Sequence, residues 1–196
     1  TPISEHFKNN NDPQGLVTLI NRLLSALTDV VLSLDGTIDK YMGDCVMAFW
    51  GAPVDCDNHQ ERAVTCAAMM LVALEKLNQE IEAEGLPRMG IGIGVNTGPC
   101  VIGNVGGDKR FDYSAIGDSV NVAARLESST RKYVQNVLIG EDTAKAVPDL
   151  VKPLDTIEVK GKSEKLAVFT LSGKAIHAAH LADHWAVKEK PKGLIS

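Results

Sequence analysis

The chain has 196 residues, 44% of them hydrophobic and 23% charged, which is the composition of an ordinary globular protein with one well-buried domain. Its formal net charge of -5 at pH 7 argues against nucleic acid or an anionic membrane surface as the main partner, although a local positive patch would still suit a phosphate ligand. No apolar run approaches the roughly 20 residues that cross a bilayer, and no signal peptide is recognisable, so we expect no membrane contact from this segment.

The first strong helical pattern begins at Asp12-Pro13, where the aspartate suits an N-cap and the proline suits the first turn. Apolar residues then repeat at helical spacing from Leu16 to Val31. This spacing predicts one apolar stripe that packs on a sheet, and Asp35-Gly36 ends the helix.

Two further helices are predicted over residues 57–84 and from 118 to about 133. Between them, residues 88–98 alternate apolar side chains with glycines, which predicts a strand with one bare face. A bare face allows another backbone or a ligand to approach closely.

The other predicted strands come in pairs, at residues 37–42 and 45–50, 99–104 and 110–115, and 154–160 and 165–171. Helices that alternate with strand pairs favour an α+β fold with a mixed, largely antiparallel sheet and helices on one face. The residues from Ser172 onward are less patterned, and we expect this tail to lie outside the core.

Four cysteines occur without any CxxC pair, which is typical of reduced thiols in a cytoplasmic protein. His177, His180 and His184 in the tail would share one helical face. A zinc or nickel site is one interpretation of this face, and solvent-exposed histidines on a terminal helix are the simpler one.

Lys40 and Asp44 stand on either side of a predicted Met42-Gly43 turn between the first two strands. A carboxylate at a turn offers the oxygen ligand that Mg²⁺ prefers, although a purely structural turn aspartate explains the same residue. The position alone therefore leaves both interpretations open.

Asn121 and Arg125 are four residues apart on the predicted third helix, so they share one face. An amide and a guanidinium on one face can hold a sugar oxygen and a phosphoryl group with directed donors. The alternative is a solvated face on which Arg125 pairs with an acid. Lys160, at a strand end, would reach a triphosphate or belong to a basic turn.

Six stretches along the chain, taken together and in order, resemble the catalytic domain of class III nucleotidyl cyclases. They are "TPISEHF", "DGTIDKYMGDCVMAFWGAP", "IGIGVNTG", "VIGNVGG", "DYSAIGDSVNVAARLE" and "VKGK". The resemblance implies a ferredoxin-like α+β core that acts as a head-to-tail homodimer with active sites built from both chains. It covers residues 1–171 as the catalytic domain and leaves 172–196 as a C-terminal tail.

The resemblance also implies roles for individual residues by position. Asp44 matches a metal-binding aspartate and Lys40 an adenine-reading lysine. Ser114 falls where the family places the partner of that lysine in base recognition. Asn121 matches the residue that orients the ribose, and Arg125 the one that stabilises the transition state.

Two phosphate contacts and two metal ions complete the implied site. Lys160 matches a triphosphate contact, and Arg110 is a further phosphate contact by an approximate alignment. The family uses two Mg²⁺ or Mn²⁺ ions, and we expect its other metal-binding aspartate upstream of Thr1. Metal ions and cations suit the reaction because charge develops on the pyrophosphate as it leaves.

The choice of base follows from a hydrogen-bond inventory. Lys40 only donates and Ser114 can accept, which matches the acceptor N1 and the donor amino group of adenine. Guanine presents a donor at N1, and a buried mismatch of that kind costs about 1–3 kcal/mol per unpaired group.

The sequence therefore predicts a cytoplasmic adenylyl cyclase domain that converts ATP to 3′,5′-cyclic AMP and pyrophosphate, attached to a regulatory domain. Two alternatives remain open. One is a guanylyl cyclase, and the other is a catalytically inactive cyclase-like module that binds a nucleotide or a partner.

Overall fold

A computed structural model describes residues 2–107, 110–158 and 165–189. Its helices are α1 (Pro2–Asn9), α2 (Pro13–Ser33), α3 (His59–Ala83), α4 (Asp118–Ser129), α5 (Glu141–Ala146) and α6 (Gly173–Glu189). Its strands are β1 (Thr37–Met42), β2 (Cys45–Phe49), β3 (Ile93–Val95), β4 (Val101–Gly107), β5 (Arg110–Ile116), β6 (Val137–Gly140), β7 (Val151–Glu158) and β8 (Lys165–Leu171).

The strands form one mixed sheet and two hairpins. The sheet has the order β3-β6-β8-β7, with β3 parallel to β6 and the other neighbours antiparallel. The hairpins are β1-β2 and β4-β5. The predicted α+β class and strand pairs are confirmed, although the strand predicted over 88–98 is only the three residues of β3.

Local sequence signals predicted the start of α2 correctly but not the starts of α1 and α3. The Asp12 side chain accepts a hydrogen bond from Gly15 N at 2.8 Å and caps α2, as predicted. The helix predicted to start at residue 57, with Asp57 as its cap, begins instead at His59 with Asn58 in the N-cap position, so that cap prediction is wrong. Helix α1 was not predicted, since its eight residues bury only a short stripe that includes Ile3 and Phe7.

Helix α2 contributes one face to the core. Its side chains Leu19, Leu23, Leu27 and Val31, spaced by four residues, are buried together with side chains of α3. By length and composition alone, α2 is long and apolar enough to cross a membrane, so the expectation that no apolar run approaches that length was wrong. A core helix with one buried face passes the same test.

The described part of the predicted tail does not lie outside the core. Its residues Gly173–Glu189 form α6, whose Ala175 and Ala179 are buried in a cluster with residues of α3. Lys76 of α3 also forms an ion pair with Asp183 of α6. The small alanine side chains let the two helices approach closely, and this docking depends on a partner helix that local sequence pattern does not identify.

The bare face of the glycine-rich segment is covered by α4. A Cβ atom placed on Gly94 would meet the carbonyl oxygen of Ala123 and the backbone nitrogen of Glu127, both in α4. One on Gly92 would lie 3.3 Å from the carbonyl oxygen of Glu127. Of the two predicted uses of this face, the structure shows the close approach of a backbone, and this contact positions α4.

The four cysteines are all unpaired. Cys66 lies in the core, and burial raises the pKa of its thiol to about 12. Its thiol is therefore protonated at neutral pH and unsuited to nucleophilic chemistry.

We expect Gly94→Ala to destabilise the fold by about 1–3 kcal/mol, because the new methyl group would push α4 from β3. Gly90→Ala is a matched control, since a Cβ there meets nothing within 4 Å. It should stay within about 0.5 kcal/mol of the parent. Urea unfolding of both variants measures the difference, and equal stabilities would contradict the packing role of the bare face.

Candidate active site

Strand β1 carries a bulge at Asp39. Ile38 pairs with Ala48 and Lys40 pairs with Met47, so Asp39 is an extra residue without a partner in β2. Consecutive side chains of a regular strand point to opposite faces, and a bulge breaks this alternation. Asp39 and Lys40 can therefore both reach the same atom on a neighbouring strand.

That atom is the hydroxyl oxygen of Ser114 in β5. Lys40 Nζ donates to Ser114 Oγ at 3.0 Å and lies 3.3 Å from Asp39 Oδ1. Ser114 Oγ lies 3.0 Å from both carboxylate oxygens of Asp39, to which it donates. The backbone N–H of Ala115 donates to Asp39 Oδ2 at 2.8 Å. The Asp39 carboxylate thus joins β1 to β5, two strands of separate hairpins.

The cluster is buried on one side and open on the other. The Asp39 side chain is 0% exposed and Ser114 is 2% exposed, whereas the Lys40 side chain is 42% exposed. A buried carboxylate needs paired donors, and here a hydroxyl, a backbone amide and an ammonium supply them. The ammonium is the most exposed group of the cluster, and it lies directly beside the Ser114 hydroxyl.

The predicted pair of Lys40 and Ser114 is thus in direct contact. Asp39 is the residue that sequence reasoning missed. Its position beside Lys40 gave no signal, because regular alternation would place it on the opposite face of β1. Only the bulge, which depends on the pairing register with β2, brings it to Ser114.

Asp44 lies in the turn of the β1-β2 hairpin and is exposed. Met42 pairs with Cys45, so the turn consists of Gly43 and Asp44 rather than of Met42 and Gly43. Gly43 adopts the positive φ of +63° that the turn requires. Asp44 offers one oxygen ligand to Mg²⁺ or Mn²⁺, which suits ions that take few ligands from the protein.

In the part of the chain that the structure describes, Asp44 belongs to no group of three or more His, Cys, Asp or Glu side chains that could hold a metal ion. The carboxylate oxygens of Asp44 suit the implied Mg²⁺ or Mn²⁺ ion. The described residues of one chain do not complete its set of ligands. Further ligands would have to come from water, substrate oxygens or residues elsewhere.

Asn121 and Arg125 lie on the exposed face of α4, one position before the partly buried Val122 and the buried Leu126 respectively. Among the described residues, no ion pair joins Arg125 to an acidic side chain, contrary to the alternative of a paired, solvated arginine. Both side chains are exposed to solvent.

The start of α4 is tied to the loop after β3. Ser119 Oγ donates to the carbonyl oxygen of Pro99 at 2.7 Å, and Asn96 Nδ2 donates to the carbonyl oxygen of Ser119 at 3.0 Å. A Cβ on Gly117 would lie 3.2 Å from the same Pro99 oxygen, so this glycine permits the close approach. These contacts hold the helix that carries Asn121 and Arg125.

Three residues that the sequence analysis singled out lie, wholly or by their side chains, outside the residues that the structure describes. Lys160 lies outside the described residues, and the side chain of Arg110, which opens β5 opposite Gly107, does so too. On α6, His177 and His180 are exposed and the side chain of His184 is outside the described part. The roles of Lys160 and Arg110 stay predictions.

The chain matches the family described as the adenylate and guanylate cyclase catalytic domain over residues 2–173. It belongs to this family. Among curated relatives, this cyclase domain is 37% identical over 175 residues to adenylate cyclase 1 of Rhizobium meliloti (strain 1021), which covers 88% of this chain and 26% of the relative. It is 34% identical to the adenylate cyclase of Anabaena cylindrica, over 81% of this chain and 32% of the relative.

Solved structures share the fold of this cyclase domain. The adenylyl cyclase CyaB from P. aeruginosa superposes with a TM-score of 0.74 at 33% identity, covering 85% of this chain and 88% of that one. The guanylyl cyclase Cya2 superposes with a TM-score of 0.75, also at 33% identity, covering 82% of each chain. The chain thus spans most of both cyclase structures but only about a quarter to a third of the curated relatives.

Proposed function

We propose that this cyclase domain converts ATP to 3′,5′-cyclic AMP and pyrophosphate. The observation that supports ATP is the 3.0 Å contact between Lys40 Nζ and Ser114 Oγ. Likeness of fold does not select the base, because an adenylyl and a guanylyl cyclase superpose on the chain almost equally well. The choice therefore depends on the polarity of the base-reading side chains.

Lys40 and Ser114 present a donor and an acceptor side by side. The ammonium has three N–H donors and no acceptor, and the serine oxygen has lone pairs. Adenine offers the complementary acceptor at N1 and donor at its 6-amino group. Guanine offers a donor at N1 and an acceptor at its 6-oxo group, and both would face groups of the same polarity.

The reaction does not require a nucleophilic side chain of the protein. The ribose 3′ oxygen forms a bond to the α-phosphorus, the bond from that phosphorus to the bridging oxygen of pyrophosphate breaks, and the 3′ hydroxyl proton leaves to solvent. Asn121 would orient the ribose and Arg125 would stabilise the charge that develops on the phosphoryl oxygens. Lys160 and Arg110 would hold the other phosphates.

Asp44 would be a ligand of the metal ions. Bound Mg²⁺ or Mn²⁺ would polarise the phosphoryl oxygens and favour loss of the hydroxyl proton. Because Asp44 is exposed at a hairpin turn, it can reach a substrate that is held by a second chain.

We propose a head-to-tail homodimer with shared sites. Among the described residues of one chain, no hydrogen bond or ion pair joins Asp44 to Asn121 or Arg125, although all three would act on one substrate. A second copy would supply the missing carboxylate to each site. The small share of the curated relatives that the chain spans supports an attached regulatory domain, and we propose a cytoplasmic location for the catalytic part.

Production of cyclic nucleotides from ATP and from GTP by the full-length protein, with Mg²⁺ and with Mn²⁺, tests the proposal. Cyclic AMP as the main product supports it. Cyclic GMP as the main product identifies a guanylyl cyclase, and tight nucleotide binding without any product identifies an inactive cyclase-like module.

We expect Asp44→Ala to abolish activity and leave the fold intact. The carboxylate is exposed and Gly43, not Asp44, carries the positive φ, so alanine introduces no backbone strain. The control is Asp55→Ala, which removes another exposed loop carboxylate. Turnover across a Mn²⁺ titration, with melting temperature as the fold check, measures the effect. Retained turnover at the parent's metal concentration would remove Asp44 from the metal site.

Asp44→Ala and Arg125→Ala should complement each other when mixed. Each homodimer lacks one residue at both sites, whereas the heterodimer has one site with both residues intact and one with neither. Random mixing makes half of the dimers heterodimers, each with one working site of two, so about a quarter of parental activity should return. Absence of recovery, with heterodimers demonstrated by differential tagging, would contradict a shared site.

Lys40→Glu combined with Ser114→Cys should shift the preference from ATP toward GTP, since a carboxylate accepts from guanine N1. We expect a change of about 10- to 100-fold in the ratio of kcat/KM values, from a buried mismatch of about 1–3 kcal/mol. The new carboxylate would lie beside buried Asp39, so the double variant should also lose stability, which Asp39→Asn should restore. Equal loss of ATP and GTP turnover in a folded dimer would mean that these residues do not read the base.

A further inference from the structure

Asp39 contacts both side chains of the proposed base-reading pair, Lys40 and Ser114. We propose that Asp39 is a positioning residue: it fixes the direction of the Ser114 hydroxyl and so makes the site selective for a purine with a 6-amino group. This inference rests on the proposed reading of adenine by Lys40 and Ser114, and it adds the reason why serine acts there as an acceptor.

A serine hydroxyl is ambiguous by itself. It has one donor and two acceptor positions, and rotation about its C–O bond lets it meet either an amino group or an oxo group. Serine at position 114 therefore does not discriminate between adenine and guanine unless something holds its proton.

The Asp39 carboxylate holds that proton. An ionised carboxylate only accepts hydrogen bonds, and Ser114 Oγ lies 3.0 Å from each of its two oxygens. The hydroxyl proton must therefore point to Asp39. One lone pair of Ser114 accepts from Lys40 Nζ at 3.0 Å, and the other remains for a donor on the ligand.

Lys40 is constrained in the same way. Its ammonium has three N–H groups, and two acceptors lie within reach of them: Ser114 Oγ at 3.0 Å and Asp39 Oδ1 at 3.3 Å. The remaining N–H can donate to a ring nitrogen of the base. The three residues together present one donor and one acceptor, which is the complement of the adenine edge.

Burial of the Asp39 carboxylate stabilises these hydrogen bonds. The Asp39 side chain is 0% exposed, so no bulk water competes for its oxygens, and the Ala115 N–H holds Oδ2 at 2.8 Å. The carboxylate reaches Ser114 only because the bulge at Asp39 places it on the same side of β1 as Lys40.

The test compares ATP with purine riboside 5′-triphosphate, which differs from ATP by the missing 6-amino group and keeps N1 as an acceptor. The measured quantity is the ratio of their kcat/KM values for the full-length parent, Asp39→Asn, Ser114→Ala and the double variant. We expect the parent to favour ATP by about five- to tenfold, the size of one hydrogen bond.

Asp39→Asn should lower this ratio to about 2 or below. If the asparagine oxygen accepts from the Ala115 N–H, its amide nitrogen donates to Ser114 and frees the hydroxyl proton. Ser114→Ala should bring the ratio to about 1, and the double variant should match Ser114→Ala because Asp39 acts through Ser114. A purely structural role would lower turnover of both substrates in parallel and leave the ratio unchanged.

The outcomes separate this inference from the proposed function. If Asp39→Asn keeps the parental ratio while Ser114→Ala loses it, the role of Asp39 is overturned and the reading of adenine stands. If the parent itself does not favour ATP over the analogue, the reading of adenine is overturned and the role of Asp39 falls with it.

A second measurement needs no change at Asp39, in case that variant does not fold. The 6-methoxy analogue of purine riboside 5′-triphosphate keeps N1 and places an oxygen acceptor at position 6. With the hydroxyl fixed, the parent should use it less well than the unsubstituted purine, and Ser114→Ala should remove this difference. Equal or better use of the methoxy analogue by the parent would overturn the inference.

Discussion

One buried carboxylate connects the two hairpins that carry the proposed base-reading site. Asp39 accepts hydrogen bonds from Ser114 and from the Ala115 amide and pairs with Lys40, so strands that share no ladder are held together by side-chain contacts. A fully buried carboxylate is stable only when its oxygens accept hydrogen bonds or pair with a cation. The same requirement that fixes the packing of β1 on β5 therefore fixes the polarity of the groups that face a ligand.

A second constraint positions the other half of the site. The glycines of the segment before and within β3 have no side chains, and the backbone of α4 occupies the space that a methyl group at Gly94 would take. Hydrogen bonds from Ser119 and Asn96 hold the first turn of the helix. Asn121 and Arg125 thus project from a helix whose position is set by packing, as a site for directed contacts requires.

Membership of the cyclase family and the choice of substrate depend on different features of the chain. The family follows from a match across residues 2–173, and the fold is shared with cyclases named for either base. The choice of base depends on a few atoms, because replacing one hydrogen-bond donor of the site by an acceptor changes which purine the site accepts. In the proposed reading of adenine, those atoms belong to Lys40, Ser114 and, through its hold on the serine proton, Asp39.

The sequence by itself determined what depends on local pattern and on resemblance: the cap and apolar face of α2, the paired strands, the glycine face, and Lys40 with Ser114 as partners. Tertiary structure alone decided the rest. The bulge that turns Asp39 toward Ser114 depends on the register with β2, and the docking of α6 depends on the surface of α3. Register and docking are set by contacts between distant segments, and a strand that slips by one residue reverses the face of every side chain that follows.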